Sequence, residues 1–136
     1  MPLAPTMPSP QGLDFIKRYQ GLSLEKYCDE DGLWLIGYGH LIRDYETFDA
    51  PITHWLADTL FMLDVDYYLR VLHQCVRSPL TQSQFDAVLS LAFSLGPEAV
   101  QKSPIVDCIN QRKFQRALAL WQGEGERQSS LAIQRQ

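Results

Sequence analysis

The chain has few cysteines and histidines, and no motif brings them together. Its three cysteines, Cys28, Cys75 and Cys108, are widely spaced and form no C-x-x-C pair. This pattern is typical of free thiols in a reducing compartment rather than of a disulfide framework. His54 and His73 have no second ligand at metal-binding spacing. We therefore predict no metal and no cofactor.

Long apolar runs and an excess of basic residues are also missing. No stretch approaches the roughly 18 consecutive apolar residues that a membrane-spanning helix needs, and the N-terminus lacks the features of a signal peptide. Acidic residues outnumber basic ones by 16 to 12, which argues against nucleic acid as a partner. We expect a chain that is made in the cytoplasm and acts there, or in the periplasm if a route without a signal peptide exports it.

The proline distribution divides the chain into two parts. Four of the eight prolines lie within the first ten residues, which predicts a flexible leader over 1–10 and a single domain over 11–136. A helix is predicted from about residue 11 to Leu22. In the next segment, 23–42, aromatic and β-branched residues flank an acidic turn at 29–32, which is typical of a β-hairpin.

The rest of the sequence is predicted to be helical. After Pro51 a helix of about 25 residues is expected, because apolar residues recur at helical spacing. Its predicted buried stripe is Leu56, Leu60, Leu63, Tyr67 and Val71. Thr81 and Gln84 form a capping box that opens the next helix, which Gly96 ends. Shorter helices are expected at 97–101, 104–110, 112–121 and 127–134, with a loop at 123–125.

These elements predict a mostly helical α+β domain with two lobes. A small β-hairpin lobe and a helical C-terminal lobe are joined by the long helix as a spine. A groove between the lobes is the natural place for an extended ligand.

Residues 20–41 carry a specific arrangement of short motifs. Gln20-Gly21-Leu22 is followed by Asp29 nine residues after Gln20, by Leu35 six residues later, and then by Ile36-Gly37-Tyr38-Gly39-His40-Leu41. Further motifs follow in order: Leu60-Phe61-x-x-Asp64, Leu80-Thr81-x-x-Gln84-Phe85-Asp86, Ala92-Phe93-x-x-Gly96 and Trp121. Together they resemble the phage-type lysozymes, the muramidases of glycoside hydrolase family 24, over nearly all of residues 12–135.

The resemblance implies a lysozyme-like fold and three catalytic positions, of which two are substituted. The family has its catalytic Glu where this chain has Gln20, an Asp at Asp29 and a Thr where this chain has Leu35. Two further sets of residues are implied: Leu41, Phe93 and Ser94 as substrate-binding residues, and His40 with Asp64 as a structural ion pair.

Both substitutions remove a chemical function. Hydrolysis of a glycosidic bond needs a carboxylic acid to protonate the departing oxygen and a second group to position the attacking water. The amide of Gln20 cannot cycle a proton near neutral pH, and the alkyl side chain of Leu35 cannot hydrogen-bond a water molecule. Asp29 keeps its carboxylate, although an Asp in such a turn also caps the turn through the local backbone. The nearby carboxylates are expected to be solvated turn residues rather than replacement acids: Glu25, Glu30 and Asp31.

Three functions follow from these patterns. We favour a degenerate lysozyme, retained to bind peptidoglycan or a protein partner, because fold-defining motifs persist where catalytic residues are lost. The second is a muramidase, active or deliberately inactivated, that hydrolyses β-1,4 bonds between N-acetylmuramic acid and N-acetylglucosamine. The third is a helical regulatory domain without glycan contact. Trp34, Trp55 and Trp121 are expected in the core rather than on a sugar-binding surface.

Overall fold

The computed structural model of the protein describes residues 5–123. The elements in chain order are α1 (Pro10–Gln20), β1 (Ser23–Cys28), β2 (Trp34–Gly37), β3 (His40–Leu41), α2 (His54–Cys75), α3 (Gln82–Leu95), α4 (Pro97–Gln101) and α5 (Pro104–Asn110). A further helix, α6, covers 114–123 up to the last described residue. The α+β class with a small antiparallel sheet is therefore as predicted. Within the described range, no helix is both long and apolar enough to cross a membrane.

The start of α1 is fixed by Ser9. The Ser9 hydroxyl oxygen accepts a hydrogen bond from the backbone N–H of Gly12 at 3.0 Å, and Pro10 occupies the first helical position. The Ser9 backbone N–H donates to Asp86 Oδ1 of α3 at 2.9 Å, and the Ser9 hydroxyl donates to Asp86 Oδ2. The last residue before the helix is thus tied to α3. The flexibility expected for residues 1–10 stays a prediction.

The end of α1 differs from the prediction. The helix ends at Gln20, two residues before Leu22, because Gly21 adopts φ 75° and its N–H bonds to the Lys17 carbonyl at 2.9 Å. A positive φ is readily adopted by glycine and stops the helix there. Gln20 therefore occupies the last helical position, directly before the chain enters the sheet.

The three strands are antiparallel in the order β1-β2-β3. Tyr27 pairs with Leu35, and Leu35 pairs with Leu41, so these three side chains lie on one face of the sheet. The other face carries Ile36, which is fully buried and packs with the α2 residue Ala57. We call Tyr27, Leu35 and Leu41 the outer row, since all three side chains are partly exposed.

The burial of α2 corrects the predicted stripe. Leu63 is 59% exposed and Tyr67 is 37% exposed, so this part of the predicted stripe lies on the open side of the helix. The side chains of α2 that are buried include Ala57, Leu60, Phe61, Val65, Leu69, Val71 and Leu72. The helix packs against the sheet on one side and against α3 on another. Leu63 and Tyr67 do not belong to the buried face that these two contacts cover.

The helical lobe follows the sequence closely. Both hydrogen bonds of the capping box formed by Thr81 and Gln84 are present, and Gly96 ends α3 with φ 92°. The helices α4 and α5 have the predicted bounds. Gly123 is helical, so the predicted loop does not begin there, and the helix predicted at 127–134 lies outside the described residues. All three cysteines are free, as predicted.

Candidate active site

Gln20 is positioned by contacts of the last turn of α1. Lys17 lies three residues before Gln20, and its Nζ is 2.9 Å from Asp58 Oδ1 of α2. The same ammonium group lies 5.2 Å from the ring centre of Tyr38 and 5.3 Å from that of Phe61. These contacts hold the end of α1 against α2 and against the turn between β2 and β3.

The side chain of Gln20 lies on the backbone of Gly39 in that turn. A Cβ atom at Gly39 would lie 2.5 Å from Gln20 Oε1 and 3.3 Å from Gln20 Cδ, so the amide at the end of the Gln20 side chain would have to move aside. Gly39 also has φ 72°, a conformation that glycine adopts without strain. The glycine therefore creates the space that the half-buried amide occupies.

Asp29 lies at the end of β1 and holds the turn to β2. Its Oδ1 accepts hydrogen bonds from the backbone N–H groups of Asp31 and Leu33, both at 2.9 Å. Both bonds end on the same oxygen, so the carboxylate caps the turn through Oδ1, and no hydrogen bond from residues 5–123 ends on Oδ2. Burial, and next the charge of Asp29, raises the pKa of the Tyr27 phenol.

Leu35 is the central residue of the outer row. It pairs with Tyr27 on one side and with Leu41 on the other, and all three side chains remain accessible in part. The register thus brings together two residues singled out from the sequence, Leu35 and Leu41. This surface offers hydrocarbon contacts to a ligand at the position where the resemblance implies a hydroxyl group.

Phe93 and Ser94 lie near the end of α3. The Phe93 ring is half-buried, with its centre 4.6 Å from that of Tyr68 and 5.5 Å from that of Phe61. Ser94 is exposed. Phe61 also contacts Tyr38 at 5.7 Å, so a continuous chain of rings joins the β2–β3 turn to α3. Phe93 therefore packs between α2 and α3 as well as lying beside the exposed Ser94.

His40 bonds to two carboxylates. Its Nδ1 lies 2.9 Å from Asp64 Oδ2, as the resemblance implies, and its Nε2 lies 3.0 Å from Glu46 Oε2. Neutral imidazole has one N–H group, so both bonds form together only when His40 is protonated. Burial lowers the pKa of His40, but the hydrogen bonds and charges of Asp64 and Glu46 outweigh it and raise the pKa above its ordinary value. Sequence reasoning missed Glu46 because it lies in an irregular loop without a spacing signal.

The other residues weighed from the sequence are solvent-facing. The carboxylates considered as replacement acids, Glu25, Glu30 and Asp31, are all exposed. The expected core positions are wrong for two tryptophans, because Trp34 is 49% exposed and Trp55 is 74% exposed. Both lie at the starts of their elements, and Lys26 Nζ lies 5.4 Å from the ring centre of Trp34. Residues 5–123 contain no group of three or more His, Cys, Asp or Glu side chains that could hold a metal ion.

A separate apolar cavity of about 500 Å³ lies among α3, α5 and α6. Leu80, Phe114 and the half-buried Trp121 are among the side chains that line it. None of the catalytic positions implied by the resemblance contributes to its wall. The cavity is thus distinct from the surface that carries Gln20 and the outer row.

Comparison with known proteins agrees with this architecture. The chain is 35% identical over 111 residues to the endolysin of Acyrthosiphon pisum secondary endosymbiont phage 1, covering 82% of this chain and 75% of that protein. It is 30% identical over 124 residues to the endolysin of Salmonella phage P22, covering 87% and 85%. Among solved structures, the muramidase domain of SpmX from Asticaccaulis excentricus has a TM-score of 0.70 and 33% identity, covering 83% of this chain and 78% of that one.

An endolysin from the Escherichia coli O157:H7 phage FAHEc1 likewise has a TM-score of 0.70 and 31% identity, covering 83% of this chain and 75% of that one. The sequence also matches the phage lysozyme family over residues 17–136, which is most of the chain. This extent of agreement in sequence and fold shows that the chain belongs to the phage lysozyme family.

Proposed function

We propose that this chain binds the glycan strand of peptidoglycan along the outer row and beside Gln20, and that it does not hydrolyse the strand at the rate of a lysozyme. The observation that carries the proposal is Gln20, an amide at the position of the general acid, held against Gly39 at the end of α1. An amide can hydrogen-bond a sugar but cannot deliver a proton to the leaving oxygen. General acid catalysis typically contributes about 10²–10⁴-fold to a rate, so its loss leaves binding as the main capability.

Leu35 supports the same function. A hydrocarbon side chain on the outer row cannot hold the attacking water beside Asp29, although it can pack against the apolar face of a sugar ring. The endolysin and muramidase relatives support peptidoglycan as the ligand class. With a net charge of −4, the chain should bind an anionic wall polymer modestly, and more weakly where its own acidic residues face the strand.

The proposal is tested by two measurements on the same protein. Sedimentation with purified sacculi measures binding, and turbidity of a sacculus suspension measures hydrolysis. We expect retention in the pellet without clearing. Clearing at the rate of an active endolysin would contradict the loss of catalysis, and failure to sediment would contradict glycan binding.

Binding of a protein partner stays a prediction. A protein partner becomes the favoured ligand only if the chain fails to sediment with sacculi, because the fold would then have no glycan ligand. Cross-linking in the source cell would identify such a partner.

A further inference from the structure

Arg43 extends the outer row beyond the end of β3. The backbone N–H of Ile42 donates to the Trp34 carbonyl at 2.9 Å, so strand-like pairing continues one residue past Leu41. The Ile42 side chain packs against the core beneath the sheet. Because side chains alternate along extended backbone, Arg43 lies on the same side as Leu41.

The guanidinium group of Arg43 lies over an aromatic ring. Its central carbon is 5.9 Å from the ring centre of Tyr67, which is 37% exposed. The carboxylates of Asp64 and Glu46 are both bonded to His40. Among residues 5–123, no carboxylate lies within ion-pair distance of the Arg43 side chain. The exposed Arg43 side chain therefore forms no ion pair with any carboxylate in the described part of the chain.

Arg43 lies between the outer row of the sheet and a set of aromatic rings on α2 and α3, which are distant from it in sequence. Tyr67 is in ring contact with Tyr68 at 5.7 Å, and Tyr68 contacts Phe93 at 4.6 Å. A continuous path therefore runs from Leu41 through Arg43 and these rings to the end of α3, where Ser94 is exposed. A ligand that follows the outer row toward α3 passes the guanidinium group.

We propose that Arg43, supported by the ring of Tyr67, determines specificity for a glycan strand whose substituents carry carboxylates. A guanidinium group can donate two parallel hydrogen bonds to one carboxylate, and the planar group is oriented by the ring beneath it. A neutral glycan of the same length has no carboxylate to pair with Arg43, so this residue does not raise its affinity. The proposal rests on the proposed function and names the chemical feature of the strand that the site selects.

The test compares two forms of one ligand. Soluble peptidoglycan strands with free carboxylates are titrated into the protein by calorimetry, beside the same strands whose carboxylates have been converted to methyl amides. The variants are Arg43→Ala and Arg43→Lys, with Arg116→Ala as a control for loss of an exposed arginine on α6. The backbone hydrogen bond from the Arg43 N–H to Glu46 at 2.9 Å does not depend on the side chain, so the His40 network is kept.

We expect Arg43→Ala to weaken binding of the carboxylate strands about tenfold and to leave binding of the amidated strands unchanged. Arg43→Lys should lie between the wild type and Arg43→Ala, because it keeps the charge without the planar pair of donors. The proposal is overturned if Arg43→Ala binds the carboxylate strands as tightly as the Arg116→Ala control, or if it loses affinity equally for both forms. If the wild type binds neither form, the proposed function itself fails and this specificity with it.

Discussion

Gln20 and Gly39 are in direct contact, with Gln20 Oε1 lying 2.5 Å from the point where a Cβ of residue 39 would stand. The contact joins the last residue of α1 to the turn between β2 and β3. Gln20 is the residue at which the resemblance to the phage-type lysozymes implies the catalytic acid. Because Gln and Glu have the same shape, this space would accept a carboxyl group as well as an amide.

The contact predicts a measurable difference in stability between two glycine substitutions. Gly32 and Gly39 both have positive φ, 81° and 72°, but a Cβ at Gly32 would meet nothing within 4 Å. Gly32→Ala should therefore lower the free energy of unfolding only by the backbone strain, about 1 kcal/mol. Gly39→Ala should cost slightly more, about 1–2 kcal/mol, because its methyl group would also displace the Gln20 amide, which is the free end of a flexible side chain.

Urea unfolding of the two variants measures this difference. In the double variant Gly39→Ala with Gln20→Ala, the excess cost should disappear, because the amide is no longer there to be displaced. Equal losses of unfolding free energy for Gly32→Ala and Gly39→Ala in the otherwise wild-type chain would show that displacing the Gln20 amide from Gly39 costs no stability.

Restoring the two family residues should restore hydrolysis. Gln20→Glu supplies a proton donor in the space beside Gly39, and Leu35→Thr returns a hydroxyl group to the outer row. We expect the double variant to clear a suspension of sacculi at least about 10²-fold faster than the wild type. Adding Asp29→Asn to the double variant should abolish the gain, which separates catalysis from improved binding. If the double variant stays inert, the side chains around these positions no longer align with the strand.

Local signals made much of this fold predictable. Thr81 and Gln84 form their capping box within a single turn, so four residues of sequence determine the start of α3. The outer row could not be read from the sequence in the same way, because the register of Tyr27, Leu35 and Leu41 depends on pairing across three strands. The helix bounds were therefore better predicted than the arrangement of the site.

The errors also have a physical pattern. The apolar spacing along α2 permits more than one buried face, and only the positions of the sheet and α3 decide that Leu63 is exposed while Phe61 and Val65 are buried. Glu46 reaches His40 through an irregular loop, where no periodicity guides prediction. Position 20 was recognised by its spacing to Asp29, but its contact with Gly39 is a tertiary feature.

The attachment of Ser9 to Asp86 predicts that residues before α1 contribute to stability. Ser9→Ala removes the N-cap of α1 and the hydroxyl bond to α3, and should lower the free energy of unfolding by about 1–2 kcal/mol. Thr6→Ala, an exposed position in the same segment, is the matched control and should change stability by less than about 0.5 kcal/mol. A Ser9→Ala variant as stable as the Thr6→Ala control in thermal unfolding would show that the hydrogen bonds of the Ser9 hydroxyl do not stabilise α1.

The two carboxylates around His40 predict a pH dependence of stability with a defined sign. The pKa of His40 is raised in the folded state, so the folded protein binds the proton more tightly than the unfolded chain does. The resulting stabilisation is complete below the unfolded-state pKa of about 6.5 and is lost as the pH rises through the raised folded-state pKa. In urea unfolding, the stability difference between the wild type and His40→Gln should therefore shrink from pH 6 upward.

His73→Gln, at an exposed position on α2, is the matched control for the loss of a histidine. Glu46→Gln should lower the pKa of His40 relative to the wild type, because one of the two carboxylates that favour the imidazolium form is lost. Titration of the His40 ring signals by NMR measures this shift directly. If the difference in unfolding free energy between the wild type and His40→Gln stays constant from pH 6 to pH 9, His40 is neutral in the folded protein. It then donates a hydrogen bond to only one of the two carboxylates.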